Sequence, residues 1–175
     1  EFFYLFWGAI KAGYIPVPLN TLFRSNDYVY IIEDSECAAV FYSPEFKTEV
    51  ESALSQVSGS PDFSCLTEGV SGSFLEQLQS ASLELDAAPA SATDDCFWLY
   101  SSGTTGKPKG VVHSHRDMVV TSQHYGKDTL GVREEDVCFS AAKLFFCIRF
   151  GKRDDLPFMR QELPAFYSRN VQLRS

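Results

Sequence analysis

DCFWLYSSGTTGKPKGVVHSH, residues 95–115, is the stretch on which the reading of this chain turns. An apolar run over 96–100 reads as a buried strand, and 111–113 reads as its return strand. Between them, residues 101–110 hold three glycines, four hydroxyl side chains and two lysines. Such a segment is either a flexible surface hairpin or a loop whose backbone N–H groups and lysines surround a phosphate. The second use needs backbone free of Cβ atoms, hydroxyls that donate to phosphate oxygens, and a cation that follows moving charge. Gly103, Gly106 and Gly110 meet the first need, Ser101, Ser102, Thr104 and Thr105 the second, and Lys107 and Lys109 the third. The Walker A pattern does not fit: only two residues separate Gly103 from Gly106, and Pro108 stands where a magnesium-binding hydroxyl belongs.

Working outward, Ser114 followed by Asp117 resembles a capping box, opening a helix expected to reach Leu130 and stop at Gly131. A last strand is expected over 137–141. Toward the N-terminus, residues 2–12 crowd apolar side chains around a helix that Gly13 ends, and Pro16 and Pro18 bar residues 14–20 from a central ladder position. Ser25 is expected to cap a helix over 26–34, and 38–43 reads as a fully buried strand. Pro44 opens a helix near 45–57, 63–66 reads as a short strand and 73–80 as a helix. Alternating strands and helices with short connections predict an α/β fold, a mostly parallel sheet with flanking helices. ELDAAPASATDD, 84–95, lacks large apolar residues and reads as a connection.

Composition narrows the function. With 45% hydrophobic and 22% charged residues the chain can bury a core. A net charge of −8 disfavours duplex nucleic acid as a partner and leaves small-molecule polyanions held by local positive charge. The cysteines, Cys37, Cys65, Cys96, Cys138 and Cys147, form no C-x-x-C pair and suit a reducing, cytoplasmic location. The apolar run FFYLFWGAI is about half the ~20 residues that a membrane span requires, and nothing basic precedes it. The chain opens at Glu1 inside an expected helix, so its start reads as a cut end. His113 and His115 could imitate a metal pair, but no Cys, Asp or Glu is suitably spaced, and packing at a strand end is the reading preferred. Glu134, Glu135 and Asp136 read as a solvated turn.

YSSGTTGKPKGVVHSH, 100–115, closely resembles the phosphate-binding signature of the adenylate-forming (AMP-binding) enzymes, which include acyl- and aryl-CoA ligases, peptide-synthetase adenylation domains and luciferases. LFWGAIKAGYIPVPLN, 5–20, is similar to the family's early helix-turn-strand, and DSECAAVFYS, 34–43, to its next helix-to-strand passage. EDVCFSAAKLFF, 135–146, looks most like the benzoate-CoA ligase branch, although Phe145 and Phe146 stand where many relatives have a histidine nearby. The resemblance implies that 1–146 is an incomplete N-terminal adenylation domain. It also implies a two-step reaction. A carboxylate attacks the α-phosphate of ATP, with Mg2+, to give an acyl-adenylate and pyrophosphate; coenzyme A then displaces AMP to form a thioester. On this basis Ser101, Ser102, Gly103, Thr104, Thr105 and Gly106 are expected to hold phosphate oxygens. Lys107 is expected to act as the mobile catalytic cation, and Lys109 to bind phosphate or anchor the loop through a carboxylate. Phe145 and Phe146 are either core or walls of an acyl pocket suited to an aromatic acid. A ligase for a fatty or cinnamic acid, and a non-catalytic remnant, remain alternatives.

After Phe146 the resemblance breaks. The benzoate-ligase pattern would continue approximately Ala-Tyr-Gly-Leu-Gly-Asn-Ala-Met-Thr-Phe-Pro, whereas this chain has CIRFGKRDDLPF, 147–158. Codons exist for Cys147 onward that, displaced by one base, encode that family stretch at every position. Residues 147–175 are therefore expected to be an out-of-frame or disordered tail, following one extra nucleotide at or just before the Cys147 codon. The fragment itself is then expected to be inactive, because the family's adenine, ribose and C-terminal lysine elements are missing from it.

Overall fold

The computed structural model describes residues 2–59, 61–101, 106–134 and 136. Two apolar clusters organise them. The first brings helix α1 (Phe2–Lys11) onto strand β3 (Asp95–Ser101), with Phe6 and Ile10 from the helix meeting Cys96, Phe97 and Leu99 from the strand and Met118 from helix α5 (His115–Thr121). Phe6 and Phe97 meet edge to face, centroids 5.6 Å apart. Phe6 and Ile10 lie one helical turn apart, which puts both on the stripe that faces the sheet.

The second cluster joins helix α2 (Ser25–Ser35) to helix α3 (Lys47–Leu54) through Tyr28, Ile32, Val50 and Ala53. Strand β1 (Ala39–Tyr42) leans on it with Val40 and Tyr42. Helix α2 begins at Ser25, the expected cap, one residue earlier than expected. Arg24 takes the cap position, and carboxylates replace the serine hydroxyl there: Asp27 Oδ2 accepts from the Arg24 N–H at 3.0 Å and Glu49 Oε2 from the Ser25 N–H at 2.9 Å. The Ser25 amide, with help from Arg24, holds the Glu49 carboxyl below its ordinary range.

Among the described residues the strands form two separate pairs. β1 pairs in parallel with β2 (Phe63–Leu66), Ala39 opposite Phe63, across a connection that contains α3. β3 pairs antiparallel with β4 (Lys109–Ser114), Ser101 opposite Lys109. The connection dictates the difference: the crossover after β1 carries a helix, while 102–108 are too few for one and permit only a hairpin.

β1 is not fully buried as its composition suggested. Phe41 is 40% exposed and meets the rings of Phe63 and of Phe74, the first residue of helix α4 (Phe74–Ser80). The helix expected near 45–57 is a 3-10 turn, Pro44–Phe46, followed by the shorter α3. The helix expected from Ser114 to Leu130 divides into α5 and a wide π-helical stretch, Ser122–Thr129, and Gly131 ends it with φ 65°. Asp117 Oδ2 accepts from the Ser114 N–H at 2.7 Å, so the capping box forms in its aspartate version. The strand expected over 137–141 lies outside the described residues, as do 147–175.

Residues 14–20 run beside β3 on the side away from β4. The Trp98 N–H donates to the Pro16 carbonyl at 3.1 Å, so β3 has a backbone partner on both edges. No helix among the described residues is long and apolar enough to cross a membrane.

Candidate phosphate-binding hairpin

The hairpin β3–β4 presents the glycine-rich loop at its open end. Ser101 is the last residue of β3 and faces Lys109, the first of β4, so the stem closes on the two residues that flank the loop. Ser102, Gly103, Thr104 and Thr105 lie outside the described residues. Gly106 has φ 91°, a left-handed conformation that a side chain would strain, and marks where the chain turns back toward β4.

Gly110 has a different use from the one its composition suggested. It lies in β4 opposite Tyr100, and a Cβ placed on it would come within 3.2 Å of Tyr100 Cζ. The bare Cα is thus a seat for the Tyr100 ring, the familiar pairing of an aromatic with a cross-strand glycine. From that seat the Tyr100 hydroxyl donates to Asp34 Oδ2 on helix α2 at 2.6 Å. Burial, and then the Asp34 carboxylate, push the Tyr100 phenol far above its ordinary value, so it remains a donor.

Asp34 accepts a second bond. The Tyr30 hydroxyl, one helical turn earlier, reaches Oδ1 at 3.3 Å. The Tyr30 ring in turn lies beneath Lys107, whose Nζ is 4.9 Å from the ring centroid. Lys107 and Lys109 are both exposed, and among the described ion pairs neither lysine takes part. The two lysines therefore keep their charge available at the loop, one over an aromatic face and one at the head of a strand.

Other groups nearby are unsuited to chemistry. The Cys96 thiol, inside the first cluster, is pushed up to about 12 by burial and by Asp117, so it stays protonated and inert as a nucleophile. His113 stacks on Phe97, and burial lowers its basicity as it does that of His115. Among the described residues no three His, Cys, Asp or Glu side chains cluster as metal ligands. Phe145 and Phe146 lie outside the described residues.

Sequence reasoning passed over Tyr30 and Asp34. Their spacing of four on an expected helix was the available signal, since it stacks them on one face. It carries no hint that residue 100, far along the chain, would come to them.

Helices on a parallel strand pair, followed by an antiparallel hairpin that carries a hydroxyl- and lysine-rich loop, form the α/β architecture of the N-terminal domain of adenylate-forming enzymes. The AMP-binding enzyme family matches residues 1–151, and the chain belongs to that family. It is 41% identical over 146 residues to a benzoate–CoA ligase of Thauera aromatica, covering 83% of this chain and 28% of that one. Among solved structures, a benzoate CoA ligase from Burkholderia xenovorans superposes with a TM-score of 0.75 at 36% identity, over 87% of this chain and 30% of that one. An anthranilate CoA ligase in complex with anthranoyl-AMP does so with a TM-score of 0.74 at 35% identity, over 81% and 28%. The chain thus spans about three-tenths of the length of these relatives.

Proposed function

We propose that this chain carries the pyrophosphate-holding part of an acid–CoA ligase, and that the parent enzyme activates an aromatic, benzoate-like carboxylate. The observation that carries the reading is the hairpin: a stem closed by Ser101 and Lys109, Gly106 in a glycine-only conformation, and two lysines outside any described ion pair. The identity to benzoate–CoA ligases supports the choice of acid.

In the first half-reaction a carboxylate oxygen attacks the α-phosphorus of ATP, and the bond to the bridging oxygen of pyrophosphate breaks. Negative charge grows on the departing group. Ser101, Ser102, Thr104, Thr105 and the N–H groups around Gly103 and Gly106 are the donors for that charge, and Lys107 is the cation that follows it. Lys109, fixed in β4, contributes from a set position. Donors placed in advance are worth most where charge appears during reaction. The described residues offer no ligand set for Mg2+, so no step is assigned to a metal held by this chain. Coenzyme A is the acceptor in the second half-reaction.

On the same reading, residues 147–175 are out-of-frame translation of the family's continuation. On this reading residues 1–175 alone do not turn over.

The test is ATP–pyrophosphate exchange on an in-frame chain extended to the length of the relatives. Exchange dependent on benzoate is expected, and Lys107→Ala should lower it by about 100-fold or more, the scale of losing one transition-state donor. Exchange with octanoate but not benzoate would reject the aromatic assignment.

A further inference from the structure

Helix α2 belongs to the second apolar cluster and the hairpin to the first, and side chains join the two at the root of the loop. Asp34 receives Tyr100 at 2.6 Å and Tyr30 at 3.3 Å, one on each carboxylate oxygen. Tyr100 is the residue immediately before Ser101, where the loop leaves β3; Lys107 lies two residues before Lys109, where it joins β4. Each end of the loop is thus tied to the same turn of α2, one by a short charge-assisted hydrogen bond and the other by a cation over a ring. Gly110 makes the first tie possible by leaving room for the Tyr100 ring.

We propose that Tyr30 and Asp34 are positioning residues for the phosphate loop: Asp34 pins its entry through Tyr100, and the Tyr30 ring seats Lys107 at its exit. This rests on the reading of the loop as a phosphate site. Lys107 is a long, exposed side chain, and such a chain gives up considerable rotamer freedom when it binds an anion. A ring beneath it restricts that freedom beforehand. The ammonium still has its other side open to a phosphate oxygen, because a ring covers only one face of the cation. The carboxylate of Asp34 stays paired with two phenols, so it does not neutralise the lysine directly.

The separation of ring from hydroxyl supplies the test. Inorganic pyrophosphate is titrated into the full 175-residue chain by calorimetry, and the Lys107 side-chain resonances are followed by NMR. The unliganded protein should show the Lys107 methylenes shifted upfield by the Tyr30 ring; an unshifted Lys107 would overturn the proposal whatever binds. Tyr30→Leu should abolish that shift and weaken pyrophosphate binding by about two- to five-fold, the scale of an exposed cation–π contact. Tyr30→Phe, which keeps the ring, should restore both. Asp34→Asn, which keeps an acceptor for Tyr100, should bind within two-fold of wild type by about the same measure, and Asp34→Ala should not. Should Asp34→Ala fail to fold, the Tyr30 pair decides alone. Equal pyrophosphate affinity in wild type, Tyr30→Leu and Asp34→Ala would refute the positioning role while leaving the phosphate site standing. Failure of wild type to bind pyrophosphate, with the Lys107 shift intact, would refute the phosphate reading and the positioning role with it.

Discussion

The imidazole of His113 lies flat against the Phe97 ring, centroids 4.6 Å apart and planes inclined by 10°. Burial favours the neutral imidazole, with Asp117 opposing from the start of α5, and His115 is shifted the same way against Asp94. A histidine whose folded pKa is lowered is protonated first in the unfolded chain as pH falls. Stability should therefore be complete above about pH 6.5 and decline below it, until the folded pKa values are passed. Thermal melts of wild type and His113→Phe from pH 7.5 to 5 check this: the variant should lose less stability over the acid part. Parallel pH curves would show that His113 does not carry the effect.

Leu99 is wholly buried in the first cluster, which also draws residues from α1 and α5. Leu99→Ala should cost about 2–5 kcal/mol, through lost transfer energy and the cavity left behind. Urea unfolding measures it. A cost below about 1 kcal/mol, less than that range for a buried leucine, would mean that the strand is not packed as described.

Gly13 combines two constraints. Its φ is 83°, and an added Cβ would lie 2.8 Å from the Ala88 side chain. Gly13→Ala should destabilise by about 1–2 kcal/mol from conformation alone, and more from the contact. Gly8→Ala meets nothing within 4 Å at a helical position, and there the change should stabilise by up to about 1 kcal/mol. Comparing the two melting temperatures isolates the turn from the loss of a glycine.

The coding DNA offers a test that needs no protein. If residues 147–175 are read out of frame, the bases from Cys147 onward, displaced by one, should spell the aryl-ligase continuation through its Met-Thr-Phe-Pro. Codons incompatible with that shifted reading would sink the idea. On the same hypothesis, residues 1–175 should show no pyrophosphate exchange with any acid, and detectable turnover would contradict it.

The fold was legible in the sequence wherever a local signal decided it. Pro44, Gly13, Gly131 and the Ser114/Asp117 pair each mark a boundary by backbone chemistry, and the structure places a boundary at or next to each. The loop was legible because hydroxyls, glycines and lysines fall in one short run. Burial was less legible, because an apolar strand such as AVFY looks the same whether one face or both are covered; Phe41 shows which. The helix N-terminus at Arg24 was misjudged for a similar reason. Its cap comes partly from Glu49, on another helix, and no local pattern reports a partner so distant. Tyr100 and Asp34 are the extreme case: each is ordinary in its own segment, and only the packing of two clusters makes them a pair.

Pro16 accepts a hydrogen bond from Trp98 but, like Pro18 two residues on, has no N–H to return. Without those two N–H groups the segment cannot complete a regular ladder with β3, which needs donors and acceptors from both strands. The segment thus serves as a selvedge, bordering β3, the strand that leads into the glycine-rich loop, without being woven into its sheet.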